Sequence, residues 1–263
     1  LEWLEKSRGS SVSTRNIRLA AIKSLFSYIQ TQTPDYIYQC QQILSIPRKK
    51  EPGHTLEYLT IEGIKSVLDA VETSSRTGFR DLTLLSLMYD SAARVQEIAD
   101  LSVNDFRAEK PSTLRLTGKG SKTRIVPLMS TTSDLVSKYI SIYHPSYRGE
   151  YNVPLFSNRK KEKLTRAGIA YILKKYIKIA REKQPDLIPE TVSPHGLRHS
   201  KSMHMLQAGV PLIYIRDFLG HSEISTTEIY YDKQILMTSC PGGYTVLLKY
   251  PPEQLSIINA SIH

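Results

Sequence analysis

Between Leu114 and Leu128 the apolar residues stop recurring every three to four positions and begin to alternate with polar ones. Leu114 and Leu116 sit between polar neighbours, Thr117-Gly-Lys-Gly-Ser-Lys122 is turn chemistry, and Ile125, Val126 and Leu128 resume the apolar pattern. That is a β-hairpin, and the chain offers no other good one. Everything around it is helical in period. The fold class expected is therefore mainly α with a small β-hairpin or sheet element.

The helical segments can be placed from their stripes and caps. Ser13 and Thr14 precede Ile17, Ala21, Leu25, Tyr28 and Ile29, which predicts a capped amphipathic helix over 13–30. A shorter helix is expected from about Pro34 to Leu44. Residues 46–54, Ile-Pro-Arg-Lys-Lys-Glu-Pro-Gly-His, have linker composition. Beyond them Thr60 opens a helix with Ile64, Val67, Leu68 and Val71 on one face, and a broadly apolar helix over Phe79–Met88 should be buried. Further helices are expected from about Val95, from Thr165 through Ala180, from Ser193-Pro194 to Gly209, and from Pro211 to Leu219, where Gly220 stops the last. No internal repeat is present. The expected organisation is a helical domain over 1–51, a second domain over 52–231, and a tail over 232–263. The chain opens on Leu1 in a helix-like run, so the first domain is expected to be incomplete.

Charge narrows the function. The 263 residues carry a formal net charge of +10. Between Asn158 and Lys183 ten Lys and Arg face only Glu162 and Glu182, a net +8, and the first 50 residues add eight basic against three acidic residues, a net +5. Charge concentrated in two regions attracts polyanions by counterion release, and nucleic acid is the commonest one in a cytoplasm; the competing reading is a pair of solvated helix faces. The run of apolar residues a membrane span needs is absent, and the first 30 residues show no signal peptide. Two cysteines, Cys40 and Cys240, support neither a disulfide framework nor a clustered metal site. A soluble cytoplasmic protein with no membrane partner is the expectation.

Candidate chemistry begins at Pro194, where His195-Gly-Leu-Arg198 puts a histidine and an arginine on one face of a first helical turn. The positive helix end favours an anion between them, although either residue alone reads as an ordinary surface group. His195 and His199 have a metal-ligand spacing. However, no Glu follows the first His, and Arg198 between them would repel a cation, so no metal site is expected. Upstream stands Ala92-Ala-Arg94-Val-Gln-Glu97, and downstream Leu219-Gly-His221 with Tyr230 nine residues later.

Together Arg94, Lys119 in Gly-Lys-Gly, His195-x-x-Arg198, Leu219-Gly-His221 and Tyr230 resemble the active-site set of the tyrosine recombinases, the phage integrase family, and its Xer-type members most of all. The likeness covers residues 55–231, and the helix at 13–30 resembles part of the family's core-binding domain. Cutting a DNA strand without metal requires charge neutralisation on the phosphorane oxygens, which two guanidiniums can supply; that is the role for Arg94 and Arg198. A phenol with an ordinary pKa of about 10 needs a positive site and a proton acceptor to act as nucleophile. His195 is the candidate acid/base and His221 a further phosphate donor. The resemblance assigns Lys119, with Lys122 as substitute, to protonating the departing 5′ oxygen, and Glu97 to orienting side chains. Spacing from His221 selects Tyr230 over the adjacent Tyr231.

The resemblance implies a site-specific recombinase or integrase that forms a 3′-phosphotyrosine and needs neither ATP nor a metal or other cofactor. Its partner would be double-stranded DNA, bound by a clamp of the two domains. Self-association would give a synaptic tetramer on DNA and a monomer or weak dimer when free. Two alternatives share the fold: a DNA-binding protein that does not cut, and a topoisomerase-like enzyme that nicks and reseals. After Tyr231 the likeness fades. Residues 237–244 are turn-rich, and Leu255, Ile258 and Ile262 offer only a short helix where the family carries one that docks on a neighbouring protomer.

Overall fold

The computed structural model describes residues 1–50, 58–149, 153–190 and 192–220. The chain divides into two compact units, Leu1–Thr55 and Leu56 onward.

The first unit holds α1 (Glu2–Lys6), α2 (Val12–Gln32) and, after a 3-10 turn at Pro34–Tyr36, α3 (Ile37–Leu44). Ser11, two residues before the expected cap, terminates α2 by accepting from the Thr14 amide at 3.2 Å. The face predicted to be apolar and buried is turned outward: Ile17 is 68% exposed, Leu25 56% and Tyr28 64%. Burial falls instead on Leu19, Arg15 and Asn16 of α2 and on Cys40 of α3. The polar pair is there for a reason. Asn16 donates through Nδ2 to the Lys49 carbonyl at 2.8 Å and accepts the Lys49 amide at 3.1 Å, while Arg15 reaches the Pro47 carbonyl at 3.2 Å. Residues 47–49, expected as free linker, are therefore strapped to α2, because their backbone groups find partners on that helix.

The second unit is mostly helical and carries one small sheet. Its elements are α4 (Ile61–Asp69), α5 (Arg76–Ser91), α6 (Val95–Asp100), β1 (Phe106–Arg107), β2 (Thr113–Thr117), β3 (Thr123–Pro127), α7 (Ser130–Tyr143), α8 (Arg166–Lys183), α9 (Pro194–Gln207) and α10 (Leu212–Leu219). Four helices start on side-chain caps at Thr60, Ser75, Thr165 and Ser193, each accepting the amide of the residue three positions on. Helix α5 is buried along most of its length, from Thr83 to Ser91, and forms the central beam of the core with Leu84, Leu87 and Met88. The expected hairpin forms with Leu114 opposite Val126 and Leu116 opposite Arg124, and a short first strand pairs Phe106 with Leu114 to make an antiparallel sheet of order β1-β2-β3. Leu114, Leu116 and Val126 are fully buried while Ile125 is exposed, so alternation sets the buried face. Among the described residues no helix is long and apolar enough to cross a membrane.

Candidate active site

Arg94 is placed by a backbone irregularity. Helix α5 ends at Ala92, buried and left-handed at φ 46°, and the chain turns sharply so that Arg94 becomes the N-cap of α6. Glu97, one turn on, accepts the Arg94 amide at 2.7 Å on Oε2 and the Arg94 guanidinium at 3.0 Å on Oε1. The Glu97 side chain is 2% exposed and that of Arg94 43%. Burial works against the Glu97 charge, but hydrogen bonds from Arg124 and from the Arg94 amide, with the charge of Arg124, outweigh it and hold the carboxyl down at about 2.

Arg198 comes from the first turns of α9 and is 1% exposed. Its Nη1 donates to the Ala92 carbonyl at 2.7 Å and its Nη2 to the Leu219 carbonyl at 2.6 Å. One guanidinium thus joins the α5–α6 turn to the end of α10. Arg94 reaches the next carbonyl, Gly220, through Nη2 at 3.4 Å. Gly220 is left-handed at φ 65°, and a Cβ there would lie 2.9 Å from Arg124 Cδ, so both conformation and space call for glycine.

His195 faces solvent one turn before Arg198, its ring edge-on to His199 at 4.2 Å between centroids. Its pKa is lowered, first by partial burial and then by repulsion from Arg198 and Arg94. The imidazole is therefore biased toward its neutral, proton-accepting form, and both arginines lie within its electrostatic reach. The hairpin tip closes another side. A Cβ on Gly118 would stand 3.1 Å from Glu97 Oε1 and 4.0 Å from Arg94 Nη1, which brings the backbone preceding Lys119 against the Arg94–Glu97 pair. The side chain of Lys119, and the whole of His221, Tyr230 and Tyr231, lie outside the described residues, as does the tail beyond them. Arg94, His195 and Arg198 are brought together.

Two features of the site went unread in the sequence. Arg124, inward-facing on β3, makes a fork onto Glu97 with Nη1 on Oε1 and Nη2 on Oε2, both at 2.8 Å. The signal was available: the strand's alternation puts a charge at a core-facing position two residues before Val126, which demands a buried acid. Behind the site, the Lys201 ammonium donates to Asp90 Oδ1 at 3.1 Å, with both side chains buried. Asp90 Oδ2 also accepts the Met129 amide at 2.8 Å.

The site thus places two guanidiniums and an imidazole whose pKa is lowered on a helical scaffold with one small sheet. The profile of the phage integrase family matches residues 57–236, and the chain belongs to that family as a site-specific tyrosine recombinase. It is 33% identical over 90% of its length to y4rC of Sinorhizobium fredii, named as an integrase/recombinase, covering 70% of that protein. To the tyrosine recombinase XerD of Listeria monocytogenes it is 30% identical over 86% of its length and 73% of the relative's. Among solved structures, the XerH site-specific recombinase bound to a palindromic difH substrate aligns with TM-score 0.71 and 27% identity, over 89% of this chain and 69% of that one. The Tn1549 transposon integrase in complex with transposon right-end DNA shares the fold at TM-score 0.68 and 17% identity, over 92% of this chain and 84% of that one.

Proposed function

We propose that this chain cuts and rejoins double-stranded DNA with Tyr230 as nucleophile and Arg94, Lys119, His195, Arg198 and His221 as its supporting set. The observation that carries the reading is the pair of guanidiniums from different helices, Arg94 and Arg198, held on the successive carbonyls of Gly220 and Leu219. The segment that leads on to His221 and Tyr230 leaves from this point, so the nucleophile's chain is anchored by the residues that would neutralise its target phosphate. The Tyr230 phenol attacks phosphorus and forms a phosphotyrosine ester. The 5′ oxygen departs with a proton from Lys119, and His195, biased to neutrality, takes the phenolic proton. Attack by a 5′-hydroxyl from a second duplex reverses these transfers and releases the tyrosine.

Residues 1–51 serve as a DNA-binding domain in this reading. The exposed lysines of α8, Lys174, Lys175 and Lys178, add phosphate attraction without base specificity. The active assembly is a tetramer formed on DNA. Transfer of a labelled strand between two duplexes taken from the DNA flanking its own gene tests the proposal. Strand exchange insensitive to chelator supports it, relaxation without exchange points to the nicking and resealing alternative, and salt-sensitive binding without cleavage points to the silent one.

A further inference from the structure

Three consecutive carbonyls at the end of α10 are held by three different arginines. Arg124 Nε donates to Phe218 at 3.0 Å, Arg198 Nη2 to Leu219 at 2.6 Å and Arg94 Nη2 to Gly220 at 3.4 Å. Two of these three have a part in the proposed chemistry, and Arg124 has none. Yet Arg124 makes three side-chain hydrogen bonds. Its fork saturates both oxygens of Glu97, its Nε holds α10, and its stem fills the space a Gly220 side chain would need. Each of the three Arg124 guanidinium nitrogens is already engaged, two by Glu97 and one by the Phe218 carbonyl.

Glu97 is the carboxylate that matters here. It is buried with a full negative charge between two cations, and Arg94 gives it only one guanidinium nitrogen. Without the second cation, the unbalanced carboxylate would draw Arg94 into a two-pronged pair and spend the charge and donors that a phosphate requires.

We infer that Arg124 is a positioning residue that neutralises Glu97 so that Arg94 stays available to the scissile phosphate, and that it ties the β2–β3 hairpin to the turn leading into His221. Arg124 belongs to the strand that follows the hairpin tip, so one side chain links that strand to α6 and to the end of α10. The inference deepens the recombinase reading and rests on it for its catalytic consequence, while the capture of Arg94 by Glu97 is a property of the free protein.

The experiment uses the full chain with Arg124→Met, Arg124→Gln, Arg124→Lys, Glu97→Gln and the double variant Arg124→Met with Glu97→Gln. In DNA-free protein, phenylglyoxal labelling of Arg94, quantified by peptide mass mapping, should fall several-fold in Arg124→Met and recover in the double variant. Simple loosening of the site would raise the labelling instead. Single-turnover cleavage should fall about 100-fold in Arg124→Met at near-constant DNA affinity, less in Arg124→Lys, and recover in part when Glu97 is also neutralised. Arg124→Lys keeps the cation, so its Arg94 labelling should stay near wild type, and Arg124→Gln, polar but uncharged, repeats the test if Arg124→Met is unstable. Unchanged or raised Arg94 labelling in both uncharged variants overturns it. Failure of the wild-type chain to cleave would count against the recombinase reading, and the labelling would still decide the role of Arg124.

Discussion

The Arg198 guanidinium donates to the main-chain carbonyl of Ala92 at 2.7 Å, joining a buried side chain of α9 to the left-handed residue that ends α5. Ala92 lies two positions before Arg94, so the contact fixes where one arginine starts from the position of the other. The two charges that would face a phosphate are thus built as one unit, across 106 residues of sequence.

Arg198→Lys should therefore fail although the charge is kept. A lysine has no planar fork and leaves the carbonyls of Ala92 or Leu219 without their donor, costing about 1–3 kcal/mol of stability. Cleavage should fall by about 10²–10³ or more with DNA affinity nearly unchanged. Single-turnover cleavage beside denaturant melts and a binding isotherm would check it.

Asp90→Asn tests the layer behind the site. It removes the charge partner of a buried ammonium, and breaking a buried pair by taking away one partner costs about 3–5 kcal/mol. The loss should appear as a lower urea midpoint with unchanged slope. Asp90→Asn with Lys201→Met should recover part of it.

A pH dependence follows from His204, whose Nδ1 lies 2.8 Å from the Tyr89 hydroxyl in the core. Burial, then repulsion from Lys201, pushes its pKa down from 6.5 to about 4. The folded state binds this proton more weakly than the unfolded chain, so the stability it carries is full above pH 6.5 and is lost as pH falls toward about 4. Up to about 3 kcal/mol is at stake on the standard conversion of about 1.4 kcal/mol per pKa unit. Glu97 titrates lower, between 4.5 and about 2, so the two windows overlap only between about 4 and 4.5. Urea melts from pH 7.5 to 4.5 should slope in the wild type and slope less in His204→Gln, where His195, its pKa also lowered, supplies the remainder.

How much of this was legible follows from the kind of signal each part sends. Arg94, His195 and Arg198 stood in short local patterns, and the hairpin announced itself by its change of period. Helix α7 did not, because its first turn is Ser130, Thr131, Thr132 and Ser133, a composition that reads as loop; Thr132 and Ser133 are nevertheless buried. In α2 the apolar stripe was real but points outward, and the buried face uses Arg15 and Asn16 to satisfy backbone groups of residues 47–49. Partnerships over such distances leave no mark in a window of neighbours. Arg124 is the intermediate case, since alternation showed where it points but not that Glu97, 27 positions earlier, would receive it.

Tyr230 as the nucleophile is the central claim, and covalent trapping tests it most directly. The full chain would be incubated, with EDTA present, with nicked suicide duplexes drawn from the DNA flanking its gene, and the DNA-linked peptide mapped by mass spectrometry. The account predicts a link at Tyr230, absent from Tyr230→Phe while DNA binding persists. A link at Tyr231 or elsewhere, or full cleavage by Tyr230→Phe, would contradict it.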